Sequence, residues 1–416
     1  MLALTKSKKA KGTIKQFPED FIVQEIASNG IVLETGRRYA PEELGAQGDD
    51  SGKFAVFIMQ KRDWNTTQAL RAIAKKFRRG VRSTGYAGTK DRSSVSTQLC
   101  SIYGISHSAL ENMHVKDIQI NGSWQSSTGI KLGMLGGNRF TIKIRGTGKG
   151  GNSMISASAS ELDNYGLFPN YFGEQRFGAR DNNLQIGLAM LKGDFEGAAM
   201  LYLSDSSNEL SADAVEARQR LAEERDFKKA LEYFPRYLKY ERLMIEYLSL
   251  YPGNYANAIR RLPRTLSLMF VHSVEDAIFN AELDKRLEEG VIHAVEGDTV
   301  CKASGMFYDL SSMSLLESSN STGMLPVASI LGYDSKPNEF EKSALEQYGL
   351  KLEDFKMPSM PELNCKGAYR VLFAPYKGLE HAEIEDGNSA VLSFSLPPGS
   401  YATVFLNEFI EHISAT

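Results

Sequence analysis

Residues 85–98 read Gly-Tyr-Ala-Gly-Thr-Lys-Asp-Arg-Ser-Ser-Val-Ser-Thr-Gln. Small residues at 85, 87 and 88 let a backbone come close to a partner. Asp91 stands directly between Lys90 and Arg92, and neighbouring cations favour the anionic form of a carboxylate. An ionised carboxylate is a usable covalent nucleophile at an electrophilic carbon. Taken alone, the same residues suit a surface turn with adventitious charges at least as well.

Working outward, Asn65 or Thr66 can cap a helix with the apolar stripe Leu70, Ile73, Ala74 and Phe77, which Gly80 stops. Residues 81–86 predict a strand running into the loop 87–91, and 21–26, 31–33 and 54–59 predict further short strands. Phe140, Ile142 and Ile144 alternate with Thr141, Lys143 and Arg145, giving a strand with one core face. The run 146–151 (GTGKGG) formally matches GxGxxG. It lacks an acidic residue about 20 positions on and a following GK[ST], so it reads as a linker or turn rather than a phosphate loop.

Beyond that run the pattern turns helical over 182–192, 212–229 and 263–289. In the last of these, Pro263 sits near the first turn and Gly290 just past the end. Strand alternation returns at Leu392, Phe394 and Leu396, followed by a Pro397-Pro398-Gly399 turn and Ser400 as cap of a closing helix. An order of β-rich, helical and again β-rich segments points to a domain inserted into another.

The chain has 416 residues and a net charge of −3, from 48 basic and 51 acidic side chains, which suits about two domains. Its three cysteines, at 100, 301 and 365, form no CxxC pair. That argues against a disulfide scaffold or zinc ribbon and suits a reducing compartment. The six histidines are scattered with no HExxH, and no GxSxG is present, so neither a metal hydrolase nor a serine hydrolase is supported. His272, on a helix, reads as an ordinary core or surface residue, and no metal is expected. No apolar run approaches the ~20 residues needed to span a bilayer, and the N-terminus has no apolar signal region. The expectation is a cytoplasmic protein without a membrane partner.

Charge is unevenly spread. Lys61, Arg62, Arg71, Lys75, Lys76, Arg78, Arg79, Arg82, Lys90 and Arg92 face only Asp63 and Asp91 within 61–92, and Lys6, Lys8, Lys9, Lys11 and Lys15 precede the first acidic residue. Such concentration suits a polyanion, nucleic acid above all; a solvated helix face is the plainer alternative.

The 85–98 segment closely resembles the signature of the TruD family of tRNA pseudouridine synthases, and four more blocks follow suit. They are KQFPEDFIVQE at 15–25, GNRF at 137–140, PNYFGEQRFG at 169–178 and PPGSYAT at 397–403. Ser94 stands where the family more often shows Ala. The resemblance implies an α+β protein of V-shaped, two-domain architecture. A pseudouridine-synthase catalytic domain with a curved antiparallel sheet would span 1–158 and 344–416, and a family-specific α/β domain would be inserted at 159–343.

It further implies isomerisation of a tRNA uridine, at position 13 in the D arm, to pseudouridine, with no cofactor. By the match, Asp91 is the nucleophile and Lys15 the lysine beside it, while Phe140 stacks on the target base with Asn138 near it. Lys90, Arg92 and Arg176 are expected to contact RNA; for Arg176 and Arg180 a structural ion pair is equally open, and Phe140 by its strand face also suits a plain core residue. Attack at C1′ of the ribose or at C6 of the ring stays open. tRNA is the expected partner, DNA is not, and a monomer is expected. The alternatives are a catalytically inactive RNA-binding protein of the same fold, or a nucleoside hydrolase using Asp91 with Glu25 as acid.

Overall fold

The alternation at Phe140, Ile142 and Ile144 becomes an inner strand of a large curled sheet in the computed structural model, which describes residues 1–318, 321–384, 387–411 and 414–415. Its main strands are β1 (Phe21–Ile26), β2 (Phe54–Arg62), β3 (Val95–Tyr103), β4 (Ile118–Ser126), β5 (Gly137–Arg145), β6 (Lys377–Glu383) and β7 (Ser389–Leu396), ordered β6-β7-β5-β1-β3-β2-β4. Strands β1 and β3 run parallel, and the other neighbours in this order are antiparallel. Register places Phe140 opposite Val23 on one side and Phe394 on the other. The Phe140 and Phe394 rings stack at 5.4 Å, and Phe21 meets Phe140 edge-on at 6.1 Å. Burying each such ring contributes about 1.5–3 kcal/mol, which fixes the register of the strands on either side of β5.

Helix α1 (Thr66–Lys76) is capped by Asn65, whose side chain accepts from the Gln68 amide, and its buried stripe packs with Phe57, Met59, Cys100 and Ile102. It ends before Gly80, because Arg78 takes the left-handed conformation (φ 54°). The expected strand at 81–86 is shorter: Val81–Ser83 form a 3-10 turn and only Thr84–Tyr86 pair with β3. Residues 31–33 make no strand beyond a single bridge of Val32 to Ile26. The glycines of 146–151 form a turn with positive φ at 146, 148 and 150, leading into the helix Gly151–Asp163.

The chain divides into two units. The sheet unit comprises Ala3–Asn170, Ala303–Asp309 and Phe373–Thr416; the helical unit comprises Met1–Leu2, Tyr171–Lys302 and Leu310–Leu372. The main transitions thus fall at 170/171 and 372/373, where the expected borders are 158/159 and 343/344. Within the sheet unit, Leu167–Pro169 and Phe373–Pro375 pair antiparallel, so the outgoing and returning chains leave from adjacent strands. Ser400 does not cap the last helix. Its hydroxyl donates to Asn170 at 2.9 Å, and the helix Ala402–Leu406 begins after Tyr401.

In the helical unit the expected helix at 212–229 is broken in two, Ala212–Glu224 and Phe227–Tyr233. Arg225 is left-handed (φ 48°), and Asp226 caps the second piece through the amides of Lys228 and Lys229. The long helix α2 (Arg264–Glu288) begins after Pro263 as the sequence predicts. A four-stranded sheet, in the order Phe307–Leu315, Thr299–Ser304, Met324–Ile330 and Ala368–Val371, has no counterpart in the helical reading of this region, although the resemblance implies an α/β insertion.

Helix α2 buries three carboxylic acids, Glu275, Asp276 and Glu282. Glu282 accepts from Asn338 Nδ2 at 2.9 Å, while the backbone amide of Asn338 donates to Glu341. Burial, with the Glu341 charge adding to it, pushes Glu282 up to about 7. Its folded pKa lies above the unfolded value, so the folded state binds the proton more tightly. The stabilisation is complete below the ordinary carboxylate range and is lost as pH rises toward 7. Urea unfolding at pH 5, 6 and 7 should therefore show stability falling with pH. Glu282→Gln, which keeps the Asn338 contact, should flatten that slope by up to about 1.4 kcal/mol per pH unit; an unchanged slope would count against the buried acid.

Candidate active site

Strands Thr84–Tyr86 and β3 are neighbours in the sheet, and the segment 87–94 is the loop that joins them. The small residues here serve the chain's own packing. A Cβ on Gly85 would lie 2.2 Å from the carbonyl of Ile130, and Ala87 is buried. The Asp91 carbonyl accepts two hydrogen bonds, from Lys61 Nζ at 2.8 Å and from the Ser94 hydroxyl at 2.8 Å. Lys61 belongs to β2 and follows Phe57 and Met59 on the same face, so strand periodicity turns a lysine inward. Burial lowers its ammonium to about 8, against the pull of the Asp91 charge.

Lys90 also faces inward. Its Nζ lies 2.7 Å from Glu25 Oε2, with both side chains almost wholly buried, and Glu25 Oε1 accepts from the Leu99 amide at 2.9 Å. Burial raises the Glu25 carboxyl, while Lys90 and the amide pull the other way. The Lys90 backbone amide donates to Thr66, Thr66 to Gln98, and Gln98 to the Gly88 carbonyl. The loop is thus tied to β1, β2, β3 and the start of α1 by polar groups shielded from water. Lys90, expected among the RNA contacts, has its ammonium occupied by Glu25.

With its backbone clamped from below, Asp91 presents its carboxylate outward, and 52% of the side chain is exposed. One oxygen lies 2.5 Å from Lys15 Nζ. Lys15 sits in the left-handed region (φ 61°), uncommon for a residue with a Cβ. Its ammonium also lies 4.3 Å from the centre of the Phe21 ring, the ring that meets Phe140. Asp91, Lys15, Phe21 and Phe140 are therefore linked, each touching the next. Phe140 itself is 6% exposed, held between Phe21 and Phe394. Asn138, two positions earlier on the same sheet face, has a buried Oδ1 with no hydrogen-bond partner.

Other expected site residues fall elsewhere. Arg92 is exposed and pairs with Asp63 at 3.2 Å. Arg176, in the helical unit, lies 3.7 Å from Asp276 and over the Phe172 ring. Arg180 donates to the Asp205 and Tyr202 carbonyls. Of the basic run, Arg62 pairs with Glu19 and Arg79 donates to Gly104, whereas Arg71, Lys75, Lys76, Arg78 and Arg82 are exposed and in no ion pair among the described residues. No cluster of metal-ligating side chains among the described residues includes Asp91.

The sequence reading passes over the supporting layer of Lys61, Glu25 as partner of Lys90, Thr66 and Gln98. The signal for Lys61 is its parity with Phe57 and Met59; Glu25 lies on the buried parity of Phe21 and Val23. Lys90→Met would leave a buried carboxyl without its cation, and the expected cost is about 3–5 kcal/mol in denaturant unfolding. The double change Lys90→Met with Glu25→Gln should recover part of it; a loss under about 1 kcal/mol in the single variant would refute the pairing as a support.

Comparison with known proteins bears on this geometry. The family model for tRNA pseudouridine synthase D (TruD) matches residues 2–409. "Probable tRNA pseudouridine synthase D" of Methanococcoides burtonii is 34% identical, with 99% of this chain and 95% of that protein covered. A protein of the same name from Methanococcus maripaludis is also 34% identical, over 97% of this chain and 96% of its own length. The crystal structure of a Methanosarcina mazei protein designated tRNA pseudouridine synthase D superposes with a TM-score of 0.78 at 31% identity, covering 99% of this chain and 96% of that one. With a match along nearly its whole length and this curled α+β sheet, the chain belongs to the tRNA pseudouridine synthase D (TruD) family.

Proposed function

We propose that the protein converts a uridine of tRNA, at position 13 in the D arm, to pseudouridine, with Asp91 as nucleophile and no cofactor. The observation that carries this reading is the half-exposed Asp91 carboxylate, 2.5 Å from the Lys15 ammonium and one ring away from Phe140. In the reaction the N1–C1′ bond breaks and a C5–C1′ bond forms. The proton leaves C5 and N1 gains one, so the composition of the RNA is unchanged and no redox partner is consumed.

Lys15 orients the carboxylate through the 2.5 Å contact. Lys61 and Ser94 fix the Asp91 backbone, and the Lys90–Glu25 pair fixes the loop, so Lys90 is a positioning residue. Phe140 is 6% exposed between Phe21 and Phe394, so it stacks on the uracil only once RNA displaces a neighbouring side chain; base–aromatic stacking then contributes about 1–3 kcal/mol. The Asn138 Oδ1 is buried and unpartnered, so the same displacement that bares Phe140 is what lets it accept a hydrogen bond from a base N–H. Turning a uridine out of its stack costs a few kcal/mol. The exposed arginines and lysines of 71–82, with Arg92, offset this by binding phosphates. The hydrolase alternative needs Glu25 as a free acid, but its carboxyl is buried against Lys90.

Two outcomes are expected. With tRNA carrying 5-tritiated uridine, the wild type should release tritium and leave a carbodiimide-reactive mark at one uridine without changing RNA mass. Asp91→Asn should abolish both while keeping tRNA affinity within a few-fold; full activity in that variant, or release of free base by the wild type, would refute the mechanism. For binding, the combined change Lys75→Ala, Arg78→Ala and Arg82→Ala should weaken tRNA affinity. It should also shrink the slope of log affinity against log salt by roughly 0.7–0.9 for each phosphate that is no longer neutralised; an unchanged slope would place the RNA elsewhere.

A further inference from the structure

His272 and Glu275 lie one turn apart on α2 and therefore on the same helix face. The chain returns to that face 90 residues after Glu275 (365 − 275), at Cys365. One imidazole nitrogen, one carboxylate oxygen and the thiol sulfur of these three residues all lie within 4.8 Å of one another. They line a single opening of the helical unit, so the cluster has a path to solvent. From these positions we infer that His272, Glu275 and Cys365 form a binding site for one divalent transition-metal ion of the zinc class, with a fourth position left to water.

Four observations carry the assignment. First, the donor set is one thiol, one imidazole and one carboxylate. Such soft and borderline donors suit zinc, cobalt or a similar ion; magnesium and calcium ask for oxygen. Second, zinc bonds of about 2.0–2.3 Å put tetrahedral ligands roughly 3.3–3.8 Å apart, so modest side-chain rotation from the present spacing closes the site. Third, Glu275 is 4% exposed, and its Oε1 is buried with no hydrogen-bond partner. A buried carboxylate oxygen without a donor is costly unless something completes it.

Fourth, the loop bearing Cys365 is already fixed. The Cys365 amide donates to the Phe355 carbonyl at 3.1 Å and its carbonyl accepts from Tyr333 at 2.9 Å, while Asn364 accepts from the Met357 amide at 2.8 Å. The nearby cations are held mainly by other groups, though the Arg176 charge also reaches Glu275. Arg264 donates to the Glu362 carbonyl at 2.7 and 3.0 Å, and Arg176 lies against Asp276.

Charge balances as well. On binding, the Sγ–metal bond forms, and the thiol proton, together with the proton that burial keeps on the Glu275 carboxyl, passes to solvent. A divalent ion with one thiolate, one carboxylate and a neutral imidazole then makes a centre of zero net charge, which a largely buried site tolerates. Such a centre would tie α2 to the loop at 364–367 and stiffen the helical unit.

The test is a cobalt titration of the full-length protein, stripped of metal and reduced. One equivalent should bind, with a thiolate-to-cobalt charge-transfer band in the near ultraviolet and the visible bands of four-coordinate cobalt, both erased by added zinc. Zinc should also raise the melting temperature of the wild type. Cys365→Ser should lose the charge-transfer band, and His272→Ala should weaken binding by about tenfold or more, each with an unchanged far-ultraviolet spectrum. Absence of the band in the wild type at equimolar metal overturns the site. So does a band that survives in Cys365→Ser, since it then belongs to Cys100 or Cys301.

Discussion

The working surface depends on an ion pair that never meets solvent. Lys90 and Glu25 are buried together, and removing two charges from water is costly enough that such a pair survives only when well bonded. Here the Leu99 amide donates to the second Glu25 oxygen, while Thr66 accepts from the Lys90 backbone amide and Gln98 links Thr66 to the Gly88 carbonyl. The result is a loop whose peptide backbone is immobilised from beneath, so that the next side chain, Asp91, projects in one direction. Lys61 repeats the logic at the Asp91 carbonyl. Precise placement of a reacting group is worth orders of magnitude in rate, and in the proposed reaction Asp91 would owe that placement to side chains beneath its backbone.

This arrangement also separates two tasks that adjacent charges in the sequence seem to share. Lys90, Asp91 and Arg92 are consecutive, yet the first points into the core, the second to the site and the third to solvent against Asp63. The cation that touches the carboxylate comes instead from residue 15, 76 positions away in the chain. Proximity in sequence therefore says little about which cation meets the Asp91 carboxylate, and the sheet decides it by placing the loop beside the start of β1.

Much of the fold was legible because its signals are local. Alternation at 140–144 and 392–396, the Asn65 cap, and Pro263 with Gly290 around α2 each follow from a few neighbouring residues. The errors are local signals overridden by geometry. A run of good helix formers at 212–229 is broken by a left-handed Arg225, and a strand at 81–86 is shortened by a turn. Within the site, Asp91, Lys15 and Phe140 were named through the family resemblance, whereas Lys61 and the Glu25 pairing were missed. Their evidence is a parity along the strand, visible only to a reader who asks which face each charge must share. The His272, Glu275 and Cys365 cluster was beyond reach for a different reason: its third member arrives from a distant loop, so no spacing rule encodes it.

The paired strands Leu167–Pro169 and Phe373–Pro375 set a boundary condition on the intervening polypeptide. Neighbouring strands stand about 4.8 Å apart, so, apart from Ala303–Asp309, which belong to the sheet unit, the host requires of that long excursion only that its two ends meet, as a short hairpin turn would. An insertion whose termini already lie together imposes little closure entropy on its host. Lineages could therefore lengthen, trim or replace this segment's loops while the scaffold holding Asp91 keeps its shape.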